Sequence, residues 1–295
     1  MDLFSSLTPL EGGWSGETFL AEAAGERSVV RIFAGPRHHP QAAEIQEALL
    51  RLVRGLVPVP SVLEVRRAEP ELGAPALLVT ELVDGVRGDL LLPTLDAAGL
   101  ATVGERLGRI AGTLAGMPQL TAGVFADGSL TVEPFAVELD AWVEQHEEQL
   151  GWSADDLAGL RRVAADAQDR LDEVGRISLV HSDLNPKNVL LDPDSLEVTA
   201  VLDWEFAHAG SPYADLGNLL RFDRHPAYAD AVLDGYARLR GDHPVLARDR
   251  ARSADLLALV DLAVRKDANP VAARAHDQLL AIARAGDLHA VVPEG

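Results

Sequence analysis

The chain has 295 residues, about twice the usual length of one domain, so two lobes and a sizeable core are expected. Hydrophobic residues make up 47% and charged residues 24%, and no apolar run approaches the roughly 20 residues of a membrane helix, which is the pattern of a soluble globular protein. With 46 acidic against 26 basic side chains the formal net charge is -20, which argues against nucleic acid or anionic membranes as partners; much of it reads as a solvated surface, toward which a cationic ligand would be drawn. The absence of cysteine removes disulfides and thiolate metal sites. The opening MDLFSSLTPLEGG lacks the basic and apolar regions of a secretory signal, so a cytoplasmic location is expected.

In chain order, EGGWSGETFLAEAAGERSVVRIF reads as a glycine-rich turn, a strand, a tight turn at Gly25-Glu26 and a second strand carrying Val29, Val30, Ile32 and Phe33. Residues 41 to 54 place Ile45, Leu49, Leu52 and Val53 at the spacing of an amphipathic helix, which VPVP ends. SVLEVRR and APALLVTEL read as two further strands, and DGVRG at 84 to 88 as a linker. Long helices are expected over 95–118, 134–150 and 153–173. Two short strands, near 188–191 and 198–202, flank the turn DPDS. Further helices are expected near 213–222, 226–239, 246–264 and 270–285. The sum is a strand-rich lobe over 1–83 followed by a larger helical lobe over 84–295.

The chemistry concentrates in VHSDLNPKNVLL, residues 180 to 191. His181, Asp183 and Asn188 are held on one loop just before a hairpin, and Asp203 ends its return strand. Oxygen donors of this kind suit Mg²⁺, which takes one or two carboxylates, an amide oxygen, waters and substrate phosphates. H-x-D-x-x-x-x-N is the spacing of a phosphoryl-transfer loop, in which the Asp accepts the proton of the attacking hydroxyl and the Asn and a later Asp hold metal. A turn-forming role for Asn-Pro and Asp-Pro-Asp would explain a lone match, but not the coincidence of histidine, hairpin and Asp203.

HSDLNPKNVLL together with VLDWEFAHAGSPYADLGNLL resembles the aminoglycoside phosphotransferase and choline kinase-like family, small-molecule kinases with a protein-kinase-like fold. The resemblance is strong across 180–220 and moderate over 10–85. It implies an α+β, two-lobed protein-kinase-like fold, with a small antiparallel-sheet N-lobe and a larger helical C-lobe. It also implies an ATP-dependent O-phosphotransferase with Mg²⁺ as cofactor and ATP or GTP as co-substrate. Asp183 would be the catalytic base, Asn188 and Asp203 the Mg²⁺ ligands, and Asp215 a brace for the loop through hydrogen bonds. His181 would orient the loop from beneath. Lys187 would either put positive charge near the transferring phosphoryl group or be solvated. Glu205 would be a metal-site neighbour or, in the favoured reading, a solvated carboxylate.

For the nucleotide, Gly12, Gly13 and Gly16 lie where backbone N–H groups can approach phosphate oxygens, with contact expected from Ser15, Gly16, Glu17 and Thr18. Arg31, a cation amid an apolar strand, is expected to face the α- and β-phosphates where protein kinases carry lysine. Glu44, with Glu47 as the alternative, is expected to hold Arg31. The Thr80 carbonyl and the Leu82 N–H are the expected adenine partners. The acceptor is expected to be a small, cationic antibiotic, an aminoglycoside or a tuberactinomycin-type peptide, met by Asp140, Glu144, Asp261 and Asp267, with Trp142 lining the pocket or packing its helix. The competing readings are a metabolic kinase for choline, homoserine or a sugar, and a catalytically inactive nucleotide-binding regulator.

Overall fold

The structure, a computed structural model, describes residues 6–10, 18–23, 25–35, 38–222 and 225–292. Ser6–Pro9 (β1), Thr18–Ala23 (β2), Glu26–Phe33 (β3), helix Ala42–Val53 (α1), Val62–Arg66 (β4) and Ala76–Glu81 (β5) form the N-lobe. The strands make one antiparallel sheet in the order β1-β2-β3-β5-β4. Alternation along β3 and β5 sorts the side chains between two faces. Val30 and Val79 join Ala21 in a small cluster on one face. Phe33, Ala76 and Leu78 face α1, where Ala43, Leu49 and Val53 are sealed into the main core. By the same alternation Arg31 lies on the Phe33 face, and its guanidinium sits 5.6 Å from the centre of that ring.

The expected linker is built structure. Val86–Arg87 (β6) leads into the short helix Gly88–Leu91 (α2), and β6 becomes the third strand of a small sheet with Val189–Leu191 (β11) and Val198–Val201 (β12). Thr199 Oγ1 donates to the Asp84 carbonyl at 2.9 Å. A Cβ on Gly85 would fall 2.7 Å from that hydroxyl, so the close approach requires glycine there.

The remaining elements are Ala97–Leu114 (α3), Pro118–Gln119 (β7), Gly123–Phe125 (β8), Val132–Pro134 (β9), Leu139–Leu150 (α4), Ala154–Asp172 (α5), Ile177–Val180 (β10), His208–Gly210 (β13), Ala214–Leu220 (α6), Pro226–Arg240 (α7), Pro244–Ala263 (α8) and Pro270–Ala285 (α9). Asp96 caps α3 by accepting from the Gly99 N–H at 2.8 Å. Helices α3 and α7 meet almost backbone to backbone: a Cβ on Gly108 would fall 2.0 Å from the Val232 carbonyl oxygen. Helices α4, α5, α8 and α9 enclose a second core around Leu160, Leu259 and Leu279.

Two expected helices are shorter than their sequence patterns. The first stops at Leu114 because Pro118 disfavours helix in the residue before it, and the second begins only at Leu139 because 132–134 is a strand. Strands β7, β10, β13, β8 and β9 form a further sheet in that order, without counterpart in the expected pattern. Among the described residues no helix is long and apolar enough to cross a membrane.

Candidate active site

Strand β10 delivers the chain to His181, and the hairpin β11–β12 returns it to Asp203. Val189 pairs with Val201, and the Leu202 N–H donates to the Asn188 carbonyl at 2.8 Å. That added rung holds Asn188 and Asp203 at the same end of the hairpin. His181 is fully buried beneath the loop. Its Nδ1 accepts from the Asp183 N–H at 3.2 Å, so Nδ1 carries no proton, and Nε2–H donates to the Leu202 carbonyl at 2.9 Å. The ring meets Trp204 edge-on, with centroids 4.6 Å apart. One neutral imidazole therefore ties both limbs of the loop together.

Burial lowers the His181 pKa, with the Asp215 charge pulling the other way. The folded protein keeps this ring neutral while the unfolded chain takes up a proton below about pH 6.5. Stability is therefore present above that pH and lost as pH falls through it. Thermal denaturation between pH 8 and pH 5 should show a falling midpoint below about pH 6.5, and His181→Gln should flatten that dependence even if it lowers the midpoint throughout.

Asp215 is buried at the start of α6, where Oδ2 accepts from the His181 N–H at 2.9 Å and Oδ1 from the Ser182 N–H at 2.8 Å. Ser182 adopts φ 70° and Asp203 φ 64°, left-handed conformations that cost non-glycine residues of order 1–3 kcal/mol. The paired N–H bonds to Asp215 offset the first of these. Asn218 Nδ2 adds a bond to the Ser182 carbonyl at 2.9 Å.

Behind Asn218, the Arg221 guanidinium donates to its Oδ1 at 2.8 Å and to the Asp255 carboxylate at 2.6 and 3.0 Å. Asn218, Arg221 and Asp255 were not among the sequence candidates, although D-x-x-N-x-x-R from Asp215 to Arg221 is a polar stripe of helical spacing within an apolar run. Arg221 and Asp255 are both buried, so removing one charge strands the other. Asp255→Ala should cost about 3–5 kcal/mol, read as a loss of denaturation midpoint in urea.

The Asp183 side chain is half-buried. Its Oδ1 accepts from Asn185 Nδ2 and its Oδ2 from Asn188 Nδ2, each at 2.6 Å. Burial pushes its pKa above the ordinary carboxylate value, against the pull of the Lys187 charge and the Asn188 hydrogen bond. Because Asn188 turns its amide N–H₂ toward Asp183, its carbonyl oxygen points elsewhere. Among the described residues no group of three or more His, Asp or Glu side chains could hold a metal. A carboxylate and a carboxamide at one hairpin mouth nevertheless fit Mg²⁺, which takes its remaining ligands from water and substrate phosphates rather than from an all-protein cage.

Arg31 departs from expectation in its partner. Nη1 donates to Asp203 Oδ1 at 2.8 Å and Nη2 to Glu205 Oε2. Neither α1 acid holds it: Glu44 pairs with Arg67 at 3.3 Å and Glu47 with Arg51 at 2.6 Å, one turn away on the same helix. The physical reason is reach, since the turn carrying Asp203 and Glu205 lies within span of both arms of the fork. Glu205 is an exposed residue, as favoured from sequence, but its carboxylate is engaged by Arg31 rather than free in solvent. Partial burial of the carboxylate pushes its pKa up while the Arg31 charge pulls it down.

Among the other candidates, Ser15, Gly16 and Glu17, with Gly12 and Gly13, lie outside the described residues. Thr18 sits directly across the β2–β3 ladder from Arg31. Thr80 near the end of β5 is in register with Val29 on one side and Val62 on the other, and Leu82 follows the strand. Lys187 is half-buried in the loop, its N–H donating to Asn185 Oδ1 at 3.0 Å. Asp140 and Glu144 are exposed on α4, Asp261 is engaged by Arg265 near the end of α8, and Asp267 is exposed beyond it. Trp142 packs its helix onto α8, donating from Nε1 to the Leu257 carbonyl at 3.1 Å.

Residues 6–256 match the phosphotransferase enzyme family. The chain is 33% identical over 207 residues to an aminoglycoside 3'-phosphotransferase of Streptomyces fradiae, covering 65% of this chain and 70% of that one. Its fold is shared with a ternary complex of a thermostable mutant of aminoglycoside phosphotransferase APH(4)-Ia with ADP and hygromycin B, at a TM-score of 0.67 and 20% identity over 96% of this chain and 95% of that one. The choline kinase LicA from Streptococcus pneumoniae also shares it, at a TM-score of 0.65 and 15% identity over 96% and 94% of the two chains. The chain belongs to the phosphotransferase enzyme family and is an aminoglycoside phosphotransferase-like small-molecule kinase.

Proposed function

We infer that the protein transfers the γ-phosphoryl group of ATP to a hydroxyl of a small cationic antibiotic of the aminoglycoside or tuberactinomycin type, and thereby inactivates it. The observation that carries this reading is the meeting of the Arg31 fork with the Asp203 turn at the mouth of the loop that holds Asp183. Asp183 accepts the proton of the acceptor hydroxyl, and its two amide donors fix the direction of its oxygens. Arg31 and Thr18, paired across the β2–β3 ladder, face the phosphates, with the Thr80 carbonyl and the Leu82 N–H against the base. Asn188 and Asp203 would hold Mg²⁺, which neutralises charge on the phosphates when bound. Lys187 contributes positive charge beside the transferring group. His181 and Asp215 position the loop without exchanging protons with substrate.

The formal charge of -20 supports a cationic acceptor, as does the relationship to the Streptomyces fradiae enzyme. Expression in a susceptible bacterium tests the reading. The tolerated concentration of the acceptor antibiotic should rise with the wild-type gene and stay at the control level with Asp183→Ala. A wild-type gene that leaves tolerance to every aminoglycoside and tuberactinomycin unchanged, while the purified protein phosphorylates choline or another amino alcohol, would replace the antibiotic with a metabolic acceptor.

A further inference from the structure

The geometry points to Glu205 as the residue that positions Arg31 for nucleotide, in place of an acid from α1. This rests on the reading of Arg31 as the phosphate-facing cation. The guanidinium divides its two arms between two carboxylates, Nη1 on Asp203 and Nη2 on Glu205. Only a planar fork can do so with each donor aligned, and a lysine ammonium would meet both acids as a point charge. That division accounts for arginine at this position of β3.

The two acids are not equivalent. Asp203 belongs to the pair suited to a metal, so its bond to Nη1 is the one exchanged when nucleotide enters. Glu205 lies two residues farther, on the one-turn helix Trp204–Phe206, and its bond to Nη2 leaves the other arm of the fork free to turn toward phosphate. The Phe33 ring beneath the guanidinium limits how far it swings. Both α1 acids have other partners in Arg67 and Arg51. Arg31 Nε and Glu44 Oε2 are each buried without a hydrogen-bond partner, which makes Glu44 the competing source of counter-charge.

Fluorescence titration of full-length protein with ATP, once with EDTA and once with Mg²⁺, separates these roles. Glu205→Gln is expected to weaken ATP binding about 10- to 100-fold in both buffers, the equivalent of one charge-assisted hydrogen bond, and by more than Glu44→Gln does. Glu205→Asp should restore part of the loss. In an Arg31→Ala background Glu205→Gln should have little further effect, because it acts through the arginine. A loss confined to the Mg²⁺ titration would make Glu205 a metal neighbour and overturn the inference. A larger loss from Glu44→Gln than from Glu205→Gln would return the role to α1 and overturn it equally. Wild-type protein that bound no ATP would instead remove the nucleotide reading on which the inference stands.

Discussion

Replacing Asp183 with alanine is expected to lower kcat by about 10²- to 10⁴-fold while leaving ATP affinity nearly unchanged. The carboxylate stands where its oxygens are aimed by Asn185 and Asn188 and its backbone N–H is held by His181. Such a group is oriented before substrate arrives, so its contribution falls on the chemical step rather than on nucleotide binding. Steady-state kinetics with the acceptor at saturation separates the two, because a lost base lowers kcat and a lost nucleotide contact raises KM. Asp183→Asn should be as impaired as the alanine variant, since it keeps the shape and loses the basicity. Equal loss of kcat and of ATP affinity would place Asp183 on the phosphate side instead.

Asp203→Ala carries the second large effect, a loss of roughly 10³-fold or more in kcat/KM, corresponding to several kcal/mol of charge stabilisation. Two causes combine in this residue. The variant removes one of the two oxygen donors at the hairpin mouth, and it frees Nη1 of Arg31. The first acts only when Mg²⁺ is present, and the second acts in EDTA as well. ATP affinity measured in the two buffers should therefore fall steeply with Mg²⁺ and hold or rise in EDTA, where the freed arm of Arg31 can meet phosphate. Activity close to wild type in Asp203→Ala would show that the metal is held elsewhere.

Much of this site was legible in the sequence because its chemistry is compressed into few positions. The spacing of His181, Asp183 and Asn188, and the hairpin that ends at Asp203, need only local pattern. Helices α7, α8 and α9 were legible for a similar reason: Pro226, Pro244 and Pro270 stand at their first positions and fix where each begins. Strands of two or three residues, such as β8 and β9, are too short to show a period, and the pairing of β8 with β13 on one side and β9 on the other is set by tertiary context.

The partner of Arg31 was illegible for a different reason. Asp203 and Glu205 lie 172 and 174 residues away in sequence, and Glu44 is nearer along the chain with the same charge. Which acid reaches a guanidinium is decided by where β3 and the Trp204–Phe206 turn come together, and no local pattern encodes that distance. The buried Arg221–Asp255 pair is similar, joining α8 to the end of α6 behind Asn218.

The most direct measurement is mass-spectrometric detection of product after mixing the protein, Mg²⁺ and ATP with aminoglycosides, tuberactinomycin-type peptides, macrolides, choline, amino alcohols and simple sugars, with Asp183→Ala in parallel. The expected result is one phosphoryl group added to a cationic antibiotic by the wild-type protein and none added by the variant. Phosphorylation of choline, an amino alcohol or a sugar alone would contradict the antibiotic assignment, and product formed equally by Asp183→Ala would contradict the account of the active site itself.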